Sequence, residues 1–86
     1  MSFEYLNRAM RKKLPPTPKV ILICLASLAD DKGYCHPTVD TIAEFAGVTR
    51  VTVSATLRAL EEAGVLDVRR WPGSSSTYRL NLGRPS

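Results

Sequence analysis

The amino-acid sequence predicts an α+β fold that is mainly helical, with helices first and a β-hairpin last. Apolar residues recur at the helical spacing of three and four up to Leu60. In residues 66–69 and again in residues 77–82 they alternate with polar residues, which is the period of a strand, and a turn of proline, glycine and serine separates the two segments. Proline and glycine mark the ends of these segments. With 86 residues, we expect one small domain and no deep catalytic cleft.

The first helix is predicted to end at Pro15 and Pro16. Its apolar stripe is formed by Phe3, Leu6, Met10 and Leu14. Thr17 is the expected N-cap of the second helix and Pro18 its first residue, with the helix continuing to about Ala29. Apolar residues surround this second helix almost completely, so either the first helix or a partner chain must cover it.

Two capped helices are predicted next. After a turn at residues 30–33 and a short strand near Tyr34 to His36, Thr38 caps a third helix, which Gly47 stops in the left-handed conformation. Thr49 caps a fourth helix. The residues expected to face the core are Val39, Ile42, Ala43, Ala46, Val48, Val53, Leu57 and Leu60.

The opposite face of the fourth helix is suited to a polyanion. It carries Val51, Ala55 and Arg58, and no carboxylate occurs from residue 49 to residue 60. A carboxylate there would repel phosphate, and small side chains let a helix approach base edges closely. The alternative is an ordinary solvated face, although such faces usually mix both signs of charge.

A hairpin is predicted at the end, with Leu66 and Val68 on one side of its first strand. The inward residues of its second strand are Tyr78, Leu80 and Leu82. Helices followed by such a hairpin form the winged-helix arrangement. The predicted fold is therefore a winged helix-turn-helix with an extra N-terminal helix and a C-terminal β-hairpin wing.

The segment KVILICLASLADDKGYCHPTVDTIAEFAGVTRVTVSATLRALEEAGVL resembles the winged helix-turn-helix domain at the front of phage and plasmid replication proteins. It is more loosely similar to bacterial transcription regulators. The resemblance covers about residues 14–82, which suggests a basic N-terminal helix at 1–16, the winged domain at 17–82 and a tail at 83–86. It implies sequence-specific binding of double-stranded DNA, either at repeats in a replication origin or at the operator of a repressed gene.

Carried over by position, the resemblance implies that six residues face base edges or nearby phosphates: Thr49, Arg50, Val51, Ser54, Ala55 and Arg58. Thr38 and Thr52 would hold the DNA backbone. Arginine suits guanine or phosphate, whereas valine and alanine suit a thymine methyl group. The candidate wing contacts are Arg69, Arg70, Ser74, Ser75, Ser76 and Arg79. Alternatively, the serines only form a soluble turn.

Net charge is +4, and a basic tract lies at Arg8 to Lys13. This tract is either an arm that follows the DNA phosphates or the solvent-exposed side of the first helix. Trp71 is expected to cover the edge of the core, and His36 to lie in a loop or at a strand end. The expected partner is DNA, bound as a homodimer or a head-to-tail array, and a protein–protein adaptor is the alternative of another class.

Cys24 and Cys35 lack the paired spacing of a zinc site and are expected to be reduced, buried thiols in a cytoplasmic protein. No signal peptide, membrane span or small-molecule substrate is expected. Since no nucleophile–base pair, phosphate-binding glycine loop or metal-ligand set appears in the sequence, we expect neither a cofactor nor catalysis.

Overall fold

A computed structural model describes residues 3–70 and 76–82. The elements are α1 (Phe3–Arg11), α2 (Pro16–Leu28), β1 (Tyr34–Cys35), α3 (Val39–Ala46), α4 (Arg50–Glu62), β2 (Leu66–Arg69) and β3 (Thr77–Leu80). The strands form one antiparallel sheet in the order β1-β3-β2. The predicted fold class is confirmed: the chain is α+β, mainly helical, with the helix order and hairpin of a winged helix-turn-helix.

The core is built around α2. Its residues Ile21, Leu22 and Leu25 are fully buried, with α1, α3 and α4 packed around them. The first helix therefore supplies cover that the apolar surface of α2 requires. One face of the sheet closes the core. Leu66 lies opposite Leu80 in the register of β2 and β3, and both side chains are buried.

The start of the chain corrects two predictions. The first helix ends at Arg11, before the predicted stop at Pro15 and Pro16. Pro15 disfavours helical backbone at Leu14, so the helix could not have continued through that residue. Met10 is 52% exposed, whereas the adjacent Ala9 is fully buried. The small side chain of Ala9 thus takes the place on the packing face that was expected for Met10.

The predicted cap of α2 is also wrong. Pro15 occupies the N-cap position and Pro16 begins the helix, with no side-chain cap. A proline at the first helical position has the required φ and lacks only an N–H that would have no partner within the helix. Two consecutive prolines therefore start the helix earlier than the Thr17–Pro18 pair predicts.

The helix-turn-helix itself follows the prediction. The hydroxyl of Thr38 accepts a hydrogen bond from the Thr41 N–H at 3.1 Å, which caps α3. Gly47 has a φ of 70°, in the left-handed region, and ends α3. The hydroxyl of Thr49 then accepts from the Thr52 N–H at 3.2 Å and caps α4. The starts of α3 and α4 and the end of α3 are therefore fixed by the residues that the sequence predicts.

A tight turn joins α2 to the sheet. The carboxylate of Asp30 accepts hydrogen bonds from the N–H groups of Lys32 and Tyr34, at 2.8 and 3.0 Å. Both hydrogen bonds lower the pKa of the Asp30 carboxyl group, and the bond from the Tyr34 N–H has the larger effect.

Within the described part of the chain, no helix is both long and apolar enough to cross a membrane.

Candidate nucleic-acid interface

The exposed face of α4 is the centre of the candidate interface. Val51 is 79% exposed and leaves an apolar side chain on this face. Ser54, Ala55 and Arg58 are also exposed, while Val53, Leu57 and Leu60 face the core. The structure thus separates the predicted contact residues of α4 from its packing residues, as the helical period requires.

The N-cap hydroxyls are partly committed within the protein. Thr38 and Thr41 hydroxyl oxygens lie 3.0 Å apart, and the Thr49 hydroxyl donates to that of Thr52 at 3.1 Å. These side chains therefore fix the first turns of α3 and α4, where unpaired backbone N–H groups point outward. Contact with phosphate through the backbone N–H groups is compatible with these bonds.

A groove runs between α4 and the hairpin. Its polar lining combines two helix residues, Ser54 and Arg58, with two hairpin residues, Arg70 and Ser76. Its apolar lining is Val39, Leu57, Val68 and Tyr78, and its volume is about 220 Å³. Two candidate residues of α4 are thereby brought onto one surface with two hairpin residues that lie at least twelve positions further along the chain.

Two ion pairs connect candidate arginines to carboxylates. Arg50 Nε lies 3.1 Å from Asp40 Oδ1, and Arg70 Nη2 lies 3.2 Å from Glu61 Oε1. Sequence reasoning did not identify either carboxylate. Glu61 lies one residue beyond the acid-free stretch, whereas Asp40 belongs to another helix and approaches Arg50 only through tertiary packing.

Arg69 and Arg79 lie on the other face of the sheet. In the register of β2 and β3, Asp67 faces Arg79 and Arg69 faces Thr77, so these side chains alternate away from Val68 and Tyr78. The Arg79 guanidinium lies 5.4 Å from the ring centroid of Tyr34. These residues line a separate open cavity of about 420 Å³. The structure therefore does not bring Arg69 and Arg79 into the groove beside α4.

Three candidates cannot be placed relative to the groove, and a fourth lies on α1. Ser74, Ser75 and Trp71 lie outside the described residues. Arg8 in the basic tract pairs with Glu4 on its own helix and lies 5.8 Å from the ring centroid of Tyr5. The Arg8 side chain is only 17% exposed and lines a small cavity with Arg79 and Leu80 of the last strand, so it lies neither on a solvated face of α1 nor in an arm reaching for DNA.

The two cysteines are free and buried. Burial raises the pKa of both thiols, and that of Cys35 to about 12. Neutral thiols are poor nucleophiles and poor metal ligands at physiological pH. Among residues 3–70 and 76–82, no group of histidine, cysteine and carboxylate side chains could hold a metal ion.

Comparison with known families agrees with this geometry. A family model described as a helix-turn-helix domain matches residues 12–66, which is more than half of the chain and includes α2, α3 and α4. The chain belongs to the helix-turn-helix domain family. Membership of this family indicates DNA binding. No curated protein matches the chain.

Proposed function

We propose that this helix-turn-helix domain binds double-stranded DNA sequence-specifically, with α4 in the major groove and the hairpin beside it. The observation that carries the proposal is the groove in which Ser54 and Arg58 of α4 meet Arg70 and Ser76 of the hairpin. A helix that enters the major groove places its flanking elements against phosphates. Basic and hydroxyl side chains on both walls suit that arrangement.

The residues of α4 divide by chemistry. Arg50 and Arg58 carry the forked donors that recognise guanine or phosphate. The exposed Val51 and Ala55 offer apolar contact to a thymine methyl group, and neither side chain has a polar group that this contact would bury. Because only two long basic side chains lie on this face, the hairpin is expected to supply part of the affinity.

We further propose that the target is a set of repeats in a phage or plasmid replication origin. The resemblance of residues 14–82 to replication-protein domains supports this process. Repression at an operator is the alternative. Selection of bound duplexes from random DNA gives the symmetry of the bound sequence, and a search for that sequence in the source genome gives its location. These two results distinguish the alternatives. Direct repeats at an origin support the proposal, whereas palindromes at promoters favour a repressor.

Alanine at both Arg50 and Arg58 tests the placement of α4. We expect loss of sequence-specific binding in a mobility-shift assay, because each good bidentate contact to a base contributes about 1–3 kcal/mol of discrimination. The matched control is Arg69→Ala with Arg79→Ala, which removes the same charge from the other face of the sheet. Unchanged specific affinity in the α4 variant would rule out the placement.

The adaptor alternative makes a different prediction. A helix-turn-helix domain that serves only protein contacts would bind no duplex even at low salt, where phosphate contacts are strongest. Titration of the wild-type protein into random-sequence duplex at low ionic strength therefore separates the two classes of function before any target site is known.

A further inference from the structure

Asp40 occupies an unexpected place for a carboxylate. It lies in the first turn of α3, and its Oδ1 is 3.1 Å from Nε of Arg50, the first residue of α4. Both side chains are 72% exposed. The acid-free face of α4 is therefore bordered by a negative charge from the preceding helix, next to the arginine closest to the N-terminus of α4.

The ion pair contributes little to folding. Exposed pairs of this kind contribute little to stability, because water screens them and two side chains must be held in one arrangement. A carboxylate near DNA also repels phosphate. Stability and general DNA affinity therefore do not account for this contact.

The contact places a carboxylate beside the Arg50 guanidinium. It joins Asp40 Oδ1 to Arg50 Nε, so the carboxylate lies on the Nε side of the guanidinium. Two parallel N–H donors are what the O6 and N7 acceptors of guanine require in the major groove. Holding the guanidinium before binding reduces the rotamer entropy lost on contact.

The carboxylate also acts against incorrect contacts. With Asp40 beside it, Arg50 presents a partly neutralised charge to a phosphate, so binding that depends only on charge is weakened. A base contact through the terminal nitrogens keeps its geometry and gains from the ordered side chain. The two effects act in the same direction on the ratio of specific to non-specific affinity.

We propose that Asp40 is a specificity-determining residue that positions Arg50 for a guanine in the major groove and weakens non-specific phosphate binding. This inference rests on the proposed function and deepens it. The comparable pair of Arg70 with Glu61 lies on the hairpin side of the groove. Phosphate is the contact expected there, so this pair is not expected to position an arginine for a base.

The test uses Asp40→Asn in the full chain, with the selected duplex and a scrambled duplex as probes. We expect the ratio of the two affinities to fall about threefold, because the Arg50 side chain remains and only its positioning by an exposed ion pair is lost. In selection from random duplexes, preference should weaken at a single guanine position. Affinity for the scrambled duplex should rise, because one carboxylate has been removed from beside the phosphates.

Glu44→Gln is the matched control. Glu44 is an exposed carboxylate on the same helix, and it pairs with no cation within the described residues. It alters net charge equally, so an equal fall in the ratio would overturn the proposal. Thermal unfolding of both variants separates the small helix-dipole contribution of Asp40 from its effect on base preference.

A double-mutant cycle tests whether Asp40 acts through Arg50. In an Arg50→Ala background, Asp40→Asn should produce no further change in the affinity ratio, since the positioned side chain is absent. An undiminished effect there would overturn the positioning role. A wild-type protein with no duplex preference overturns the proposed function itself, whereas a preference that survives Asp40→Asn overturns only this inference.

Discussion

At the residue scale, Gly33 is the position where backbone conformation and packing coincide. Its φ of 87° lies in the left-handed region, and a Cβ added there would lie 2.9 Å from the Tyr5 ring on α1. Its carbonyl accepts a hydrogen bond from the Leu80 N–H at 2.8 Å. One glycine thus joins the first helix, the turn after α2 and the last strand.

Alanine at Gly33 should therefore destabilise the domain by more than alanine at Gly47. Backbone held in a disfavoured region costs about 1–3 kcal/mol. Gly47 has a similar φ of 70° but nothing within contact distance of an added Cβ. Chemical denaturation of both variants measures the difference. The prediction is wrong if Gly33→Ala and Gly47→Ala unfold at the same denaturant concentration, or if removing the Tyr5 ring does not reduce the excess.

At the element scale, α4 meets two conflicting requirements. Acidic residues in a first turn stabilise a helix through its dipole, and α3 has Asp40 in that position. The first turn of α4 has no acidic residue. If α4 contacts DNA as proposed, an acidic residue on its contact face would repel phosphate. Its N-terminus depends instead on the neutral hydroxyl of Thr49.

Thr49→Ala should destabilise the domain by about 1 kcal/mol, the usual cost of removing a threonine N-cap. Thr49→Ser keeps the acceptor for the Thr52 N–H and should be close to wild type. Free energies of unfolding from urea titration compare the two variants. Equal stability of the alanine and serine variants would show that the hydroxyl does not support α4.

At the scale of the whole molecule, the sheet separates two groups of charge. Arg70 lies beside α4 in the groove, while Arg79 lies against Tyr34 on the other face. The distinction follows from alternation along β2 and β3, which sends neighbouring residues to opposite sides. Under the proposed function, only the face that adjoins α4 would meet the same duplex as α4.

The salt dependence of DNA binding should report this separation. Arg70→Ala is expected to reduce the slope of log affinity against log salt by about one, the effect of one lost phosphate contact. Arg79→Ala should leave the slope at the wild-type value. Affinities measured over a series of salt concentrations test both variants, and equal slopes for the two would contradict the assignment of faces.

Several parts of the fold and the site were predictable because their determinants are local. The caps Thr38 and Thr49, the left-handed Gly47 and the alternating hairpin all depend on residues close in sequence. The start of α2 was not predicted correctly, because two adjacent proline-containing signals competed for it. Met10 was misplaced because helical spacing gives a face without telling which residue fits against a neighbouring helix.

The sequence by itself determined the order of elements, the buried stripe of α4 and its acid-free exposed face, since helix and strand periods depend only on spacing. Tertiary structure alone decided which distant charges meet. It brings Asp40 to Arg50 and Glu61 to Arg70, and it places Arg79 away from α4. Ion pairs and shared surfaces depend on distances between elements, and packing sets those distances only when the whole chain has folded.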